Sequence, residues 1–167
     1  MALKEKALKR MCEKLEKAQV PFAVTGPWML SVRGSSVAWH GFDVITDLAA
    51  FPDADKVLTR LGMRSPVGDV ADHKEVHYHF DGADITLIAG LPVPYSFPKA
   101  LESVTVLGQA VPLLPVLDAY LIAGLTAQTS FQEESRAFLQ KSGLPALLPE
   151  GFPQDDPRIQ ELICGLI

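Results

Sequence analysis

Two short segments place an aspartate within apolar and β-branched residues: Gly41-Phe42-Asp43-Val44-Ile45-Thr46-Asp47 and Phe80-Asp81-Gly82-Ala83-Asp84-Ile85-Thr86-Leu87. Each reads as a buried strand. A carboxylate withdrawn from water there is costly unless it is paired, hydrogen-bonded or bound to a metal. If the strands are neighbours, Asp43 and Asp84 make a small anionic site suited to a divalent cation and, through it, a phosphate. Oxygen ligands suit Mg²⁺, whereas an added imidazole favours Mn²⁺ or Zn²⁺.

The second segment supplies that imidazole. Asp81-Gly82 between apolar runs is a hairpin signal, because both central residues of a type I′ turn need positive φ. A two-residue turn pairs Phe80 with Ala83, His79 with Asp84 and His77 with Thr86. Side chains alternate across a strand. Val76, Tyr78, Phe80, Ala83, Ile85 and Leu87 then face the core, and His77, His79, Asp84 and Thr86 face away. On the other strand Gly41, Asp43, Ile45 and Asp47 share a face. A hairpin beside it would bring Asp43, Asp84 and His79 together as metal ligands. The competing reading is a solvent-facing sheet surface with an ordinary His–Asp pair. His40 and His73 read as loop residues, and His77 as only the next outward position.

Positioning these groups falls to a series of short elements. Leu3, Ala7, Leu8, Met11, Leu15 and Ala18 recur at helical spacing, predicting an amphipathic helix over 2–18. Phe22 to Thr25 reads as a strand, Gly26-Pro27 as the opening of a short helix from Trp28 to Val32, and Phe42 to Thr46 as the second strand. A helix starting at Asp53 stops at Gly62. The hairpin strands are Val76 to Phe80 and Ala83 to Ala89. A further hairpin, Val104 to Leu107 and Ala110 to Leu113, turns at Gly108-Gln109, and helices follow at about 115–127, 130–141 and 157–166. Strands interleaved with helices indicate an α/β (α+β) domain: a small mixed sheet, helices mainly on one side, and helices at the C-terminal end. The 167 residues suit one domain, with a core over about 3–113 and a helical part over about 114–167.

Net charge is −5, which gives no global pull toward nucleic acid. Residues 1–17 nonetheless carry +3, leaving −8 for the rest. That basic helix face is either solvated or a contact for RNA or an acidic partner. Cys12 and Cys164 lie far apart without CxxC spacing, so no disulfide framework or zinc site is expected, and a reducing cytoplasm fits them. The apolar stretch Val104 to Ala127 is interrupted by Gly108, Pro112, Pro115 and Asp118 and reads as protein core, not a membrane span.

The order of elements resembles the nucleotidyltransferase fold of the DNA polymerase β superfamily, particularly its small bacterial and toxin-like members. Val20-Pro21-Phe22-Ala23-Val24-Thr25-Gly26 resembles that family's first strand and turn glycine. Gly41 to Asp47 resembles the Asp-x-Asp strand, Asp53 to Met63 the helix behind it, and Asp81 to Leu87 the hairpin with the third aspartate. Leu117-Asp118-Ala119-Tyr120-Leu121 is similar to the start of the following helix. The resemblance implies Asp43 and Asp84 as catalytic metal ligands for Mg²⁺ or Mn²⁺, and Gly26 as the residue shaping a nucleotide-binding phosphate turn.

Several positions depart from the family pattern. Pro27 stands where a small N–H donor is expected. Gly41 takes the place of one aspartate of Asp-x-Asp; sliding the register puts Ile45 in the other. Val37 and Trp39 replace the arginine and threonine that often precede the motif, and Leu121 to Ala127 lacks the lysine of toxin-like members. Two cations clamped by three carboxylates are the family's means of in-line transfer, and two carboxylates suffice at most for one. Three readings follow: a member with weak or lost catalysis that binds a nucleotide (NTP) or a protein partner; an active metal-dependent transferase, with His79 or Asp47 standing in for the missing carboxylate; or an interaction module that self-associates or docks through its N-terminal helix and the segment Leu91 to Tyr95. Pro94 to Pro98 is either a lid or a rigid connector. Trp28 and Trp39 either stack a base or pack in the core.

Overall fold

The computed structural model describes residues 2–65, 68–70, 73–145 and 149–167. Helical periodicity at the N-terminus gives α1, Ala2–Lys17, which turns Ala7, Leu8, Met11, Cys12 and Leu15 fully into the core. Its apolar stripe is therefore buried inside the chain, and only its charged side remains for a partner.

The strands form one open mixed sheet. They are β1 (Ala23–Thr25), β2 (Gly41–Ile45), β3 (Met63–Arg64), β4 (Gly68–Val70), β5 (His73–Phe80), β6 (Ala83–Ala89), β7 (Glu102–Val106) and β8 (Gln109–Leu113). The order is β3-β5-β6-β2-β1-β8-β7, with β4 also pairing along β5. β6 lies parallel to β2, and β1 lies antiparallel to β2 and parallel to β8. One face carries the fully buried Val44, Val76, Ile85 and Leu87. That face is covered by α1 and by α3 (Phe51–Thr59). Tyr78 ties α3 to the sheet, donating its hydroxyl to Asp55, which also takes two 2.8 Å bonds from Arg64 on β3. The Arg64 hydrogen bonds hold the Asp55 carboxyl below its ordinary range.

The β5–β6 hairpin has the register expected, with Phe80 opposite Ala83, His79 opposite Asp84 and His77 opposite Thr86. Asp81 and Gly82 both take positive φ, 51° and 76°. Elsewhere the structure departs from expectation. The β7–β8 turn sits on Leu107-Gly108, one residue earlier than expected, because Val106 pairs with Gln109 and pulls Leu107 to φ 49°. The helix expected from Asp53 begins at Phe51, with Pro52 in its first turn, where no N–H is needed. His73 is a strand residue with a buried side chain, not part of a loop, because β5 runs three residues further back to pair with β4.

Beyond the sheet, α2 (Pro27–Val32) follows β1, and α4 (Val116–Leu125), α5 (Thr129–Ser142) and α6 (Pro157–Cys164) form the C-terminal helical part. α4 is buried from Val116 through Ala123 and packs against both α5 and α6. Among the described residues no helix is long and apolar enough to cross a membrane.

Candidate functional site

On the sheet face opposite α1 and α3, side chains fall into rows set by strand register. Thr25 on β1 pairs with Asp43 on β2, Asp43 with Thr86 on β6, and Thr86 with His77 on β5. This is one row: Thr25, Asp43, Thr86, His77. The row toward the hairpin turn is Gly41, Asp84 and His79. The row on the other side is Ala23, Ile45, Ile88 and Glu75, the first three buried. Asp43 therefore lies between a sealed row and an open one.

Gly26 positions that carboxylate. It leaves β1 at φ 86° to start α2, and a Cβ on it would fall 2.4 Å from Oδ2 of Asp43. The half-buried Asp43 accepts no side-chain hydrogen bond among the described residues. Burial first, and then the negative charge of Glu75, push its carboxyl up to about 6, with His77 opposing. Beside it the buried hydroxyl of Thr25 has no hydrogen-bond partner among the described residues.

Sequence reasoning missed the hydrogen-bonded chain at the end of this row. Glu75 bridges Nε2 of His73 at 3.3 Å and Nε2 of His77 at 3.1 Å, and Nδ1 of His77 lies 3.0 Å from the Thr86 hydroxyl. Alternation along β5 was the available signal: Glu75, His77 and His79 fall on one face once the strand reaches His73.

The other expected residues are less concentrated. Asp84 shares the face of Asp43 but stands one row away, about 6.6 Å along the strand. Its side chain is 78% exposed and pairs with Nδ1 of His79 at 2.7 Å, a solvent-facing pair that contributes little to stability. Asp47 accepts a 2.7 Å bond from the Ala50 N–H and so serves the turn before α3. Trp28 and Trp39 both pack against Phe42, with ring centroids 5.4 and 5.5 Å away, which is core packing. Gly41 is closed off as well: a Cβ there would lie 2.2 Å from the Asp84 carbonyl oxygen.

The segment from Leu91 to Phe97 borders a cleft of about 380 Å³ beside Ile45 and Asp47. It is a clamped connector. Tyr95 donates a 2.6 Å bond to buried Asp118, its ring packs on Phe152 at 4.4 Å, and the Ser96 N–H reaches the Gly151 carbonyl at 3.0 Å. Burial raises the Asp118 carboxyl above its ordinary range, with the Tyr95 bond opposing. An aspartate inside an otherwise apolar helix was the sequence sign of this contact.

The carboxylates do not fit a pair of cations, which would have to sit about 3.5–4 Å apart between shared ligands. Asp43 is the only carboxylate in its row, and among the described residues no three His, Cys, Asp or Glu side chains gather in a metal-binding group.

No protein-family model and no curated protein matches the chain. Solved structures do. A Thermotoga maritima protein assigned as a nucleotidyltransferase superposes with TM-score 0.54 at 16% identity, covering 81% of this chain and 92% of its own. The solution structure of the antibiotic-resistance factor ANT(2'')-Ia gives 0.64 at 13% identity, over 96% of this chain and 89% of its own. ANT(2'')-Ia in complex with adenylyl-2''-tobramycin gives 0.59 at 14% identity, over 97% and 95%. With the strand, turn and hairpin order described above, these likenesses establish the architecture: the chain has a nucleotidyltransferase fold.

Proposed function

We propose that this protein binds a nucleoside triphosphate on the Asp43 face and has lost most or all of the transfer chemistry of its fold. One observation carries the reading: the row Thr25–Asp43–Thr86–His77 holds a single carboxylate, and the second, Asp84, lies a row away, exposed and paired with His79. Thr25 and Asp43 are polar side chains without hydrogen-bond partners among the described residues at the glycine turn, which suits a ligand that brings its own donors or a cation. One carboxylate with phosphate oxygens is ordinary Mg²⁺ coordination, so Asp43 would hold one Mg²⁺ or Mn²⁺ ion, with Asp84 and His79 as outer candidates. Bound there, the ion would screen the phosphates from Asp43 and Glu75. Pro27 offers no N–H to the turn, so the protein's own grip on the phosphates is reduced.

Thermal-shift titration with ATP, GTP, CTP and UTP, with and without Mg²⁺ or Mn²⁺, tests this. Ligand at about 100 times its dissociation constant adds about 2.7 kcal/mol, or about 5–10 °C for a domain of this size. A metal-dependent shift that disappears in Asp43→Asn supports the reading, and no shift with any nucleotide overturns it. The presence of Asp43 and Asp84 on one face favours a second reading, a surviving transferase. It requires labelled nucleotide to reach an acceptor in a reaction that Asp84→Ala abolishes without unfolding the protein.

A further inference from the structure

On the opposite side of the sheet, α1 and α3 enclose a groove of about 410 Å³ lined by Arg10, Lys14, Lys17 and Arg60 over Ala18, Val57 and Leu61. We infer that this groove is a second binding site, one that takes the phosphodiester backbone of a nucleic acid. Arg10, Lys14 and Lys17 are spaced i, i+4, i+7 and so form one stripe along α1. The stripe spans about 10 Å at about 1.5 Å per residue, and Arg60 faces it from the end of α3.

The pairing of charges elsewhere makes this cluster stand out. Arg33, Arg64, Arg136 and Arg158 are each held by a carboxylate, respectively Glu102, Asp55, Glu133 and Asp156. Arg10 has an exposed contact to Asp81 at 3.3 Å. Among the described residues, Arg60, Lys14 and Lys17 have no such partner, and no acidic side chain lines the groove. The three unpaired cations around one groove repel one another, and a polyanion relieves that repulsion. In a chain of net charge −5, such segregation produces a local attraction that the bulk charge would not.

The lining chemistry selects the occupant. Among the described residues no aromatic side chain lines the groove to stack bases. Cations on an apolar floor neutralise phosphates without reading sequence. An acidic peptide is better matched by free arginine forks, and one of the two arginines here already engages Asp81. The buried apolar stripe of α1 rules out its use as a hydrophobic docking helix, which leaves this charged side as its contact surface. The inference does not depend on nucleotide binding at Asp43, which lies across the sheet.

Fluorescence anisotropy of a labelled RNA duplex and of its single strand, titrated with the full chain over a range of salt, tests it. With phosphate contacts from the three unpaired cations, log K against log salt should have a slope of about −2.7 for the duplex. Lys14→Glu/Lys17→Glu should weaken binding at least about tenfold and flatten the slope by about 2. Lys99→Glu/Lys141→Glu, with the same change in net charge on exposed residues elsewhere, should change affinity less than about twofold. Circular dichroism melts verify that both variants fold. Absence of binding at low salt, or equal loss in both variants, overturns the inference. So does Lys14- and Lys17-dependent binding of a polyglutamate peptide without RNA binding, or a salt-labile dimer of the chain without RNA binding.

Discussion

The carboxylate of Asp43 occupies the space where a side chain on residue 26 would begin, since a Cβ on Gly26 would lie 2.4 Å from Oδ2 and 3.0 Å from Cγ. Gly26 is thus needed both for its φ of 86° and for the room it leaves. Gly26→Ala should cost about 2–6 kcal/mol in urea denaturation, combining overpacking with backbone strain. In an Asp43→Ala background the same change should cost only about 1–3 kcal/mol, the strain alone of a side chain at φ 86° and ψ −175°. Equal costs in the two backgrounds would show that the carboxylate does not set the requirement.

Asp43 should also make stability depend on pH. Its carboxyl titrates at about 6 in the folded chain, against about 3.9 when unfolded. Between those values the folded state binds more protons, so its stabilisation is complete below about pH 4 and is lost as pH rises through about 6. The loss is up to about 3 kcal/mol for this group. Asp43→Asn should remove that slope, leaving the variant more stable than the wild type at about pH 8 and similar at about pH 4. If denaturation curves of the two proteins keep a constant separation across that range, Asp43 does not titrate as described.

Tyr95 and Asp118 form a buried neutral–acid contact that locks the connector onto α4. Tyr95→Phe strands the Asp118 carboxylate and should cost about 1–3 kcal/mol. The loss should be larger at pH 8 than at pH 5, because burial already raises this carboxyl and losing the hydroxyl raises it further. Tyr95→Phe/Asp118→Leu should return close to wild-type stability, since both polar partners are then gone. Thermal melts at the two pH values provide the comparison.

Thiol labelling should separate the two cysteines. Cys12 is fully buried, and burial pushes its thiol up to about 12, with Glu16 and Glu13 adding to the effect, whereas Cys164 is exposed. The native protein should release one equivalent of chromophore from a disulfide reagent, at Cys164, and denaturant should expose the other. Mass spectrometry of the labelled peptides checks the assignment.

The hairpin was legible in the sequence because turn chemistry and alternation act over a few residues. Asp81-Gly82 alone determines which of His77, His79, Asp84 and Thr86 share a face. The helices of the C-terminal part were legible for the same local reason. The setting of β2 against β6 was not, because it depends on how distant chain segments pack. A slide of two residues there would have placed Asp84 beside Asp43; the register observed places Thr86 there instead. The role of His73 and Glu75 was hidden by a polar run that reads as loop. The edge strands β3 and β4 were hidden because two or three residues carry too little pattern to be seen.

Gly41 makes the chain's departure from the Asp-x-Asp pattern one that a substitution at residue 41 alone cannot reverse. A Cβ at that position would lie 2.2 Å from the Asp84 carbonyl oxygen, so β6 occupies the space an aspartate would need. Writing an acid at residue 41 would force two parallel strands apart and disturb the row that holds Asp43. An acid at residue 41 would need a coordinated shift of β2 and β6, so the packing of these two strands holds that position to a residue without a side chain.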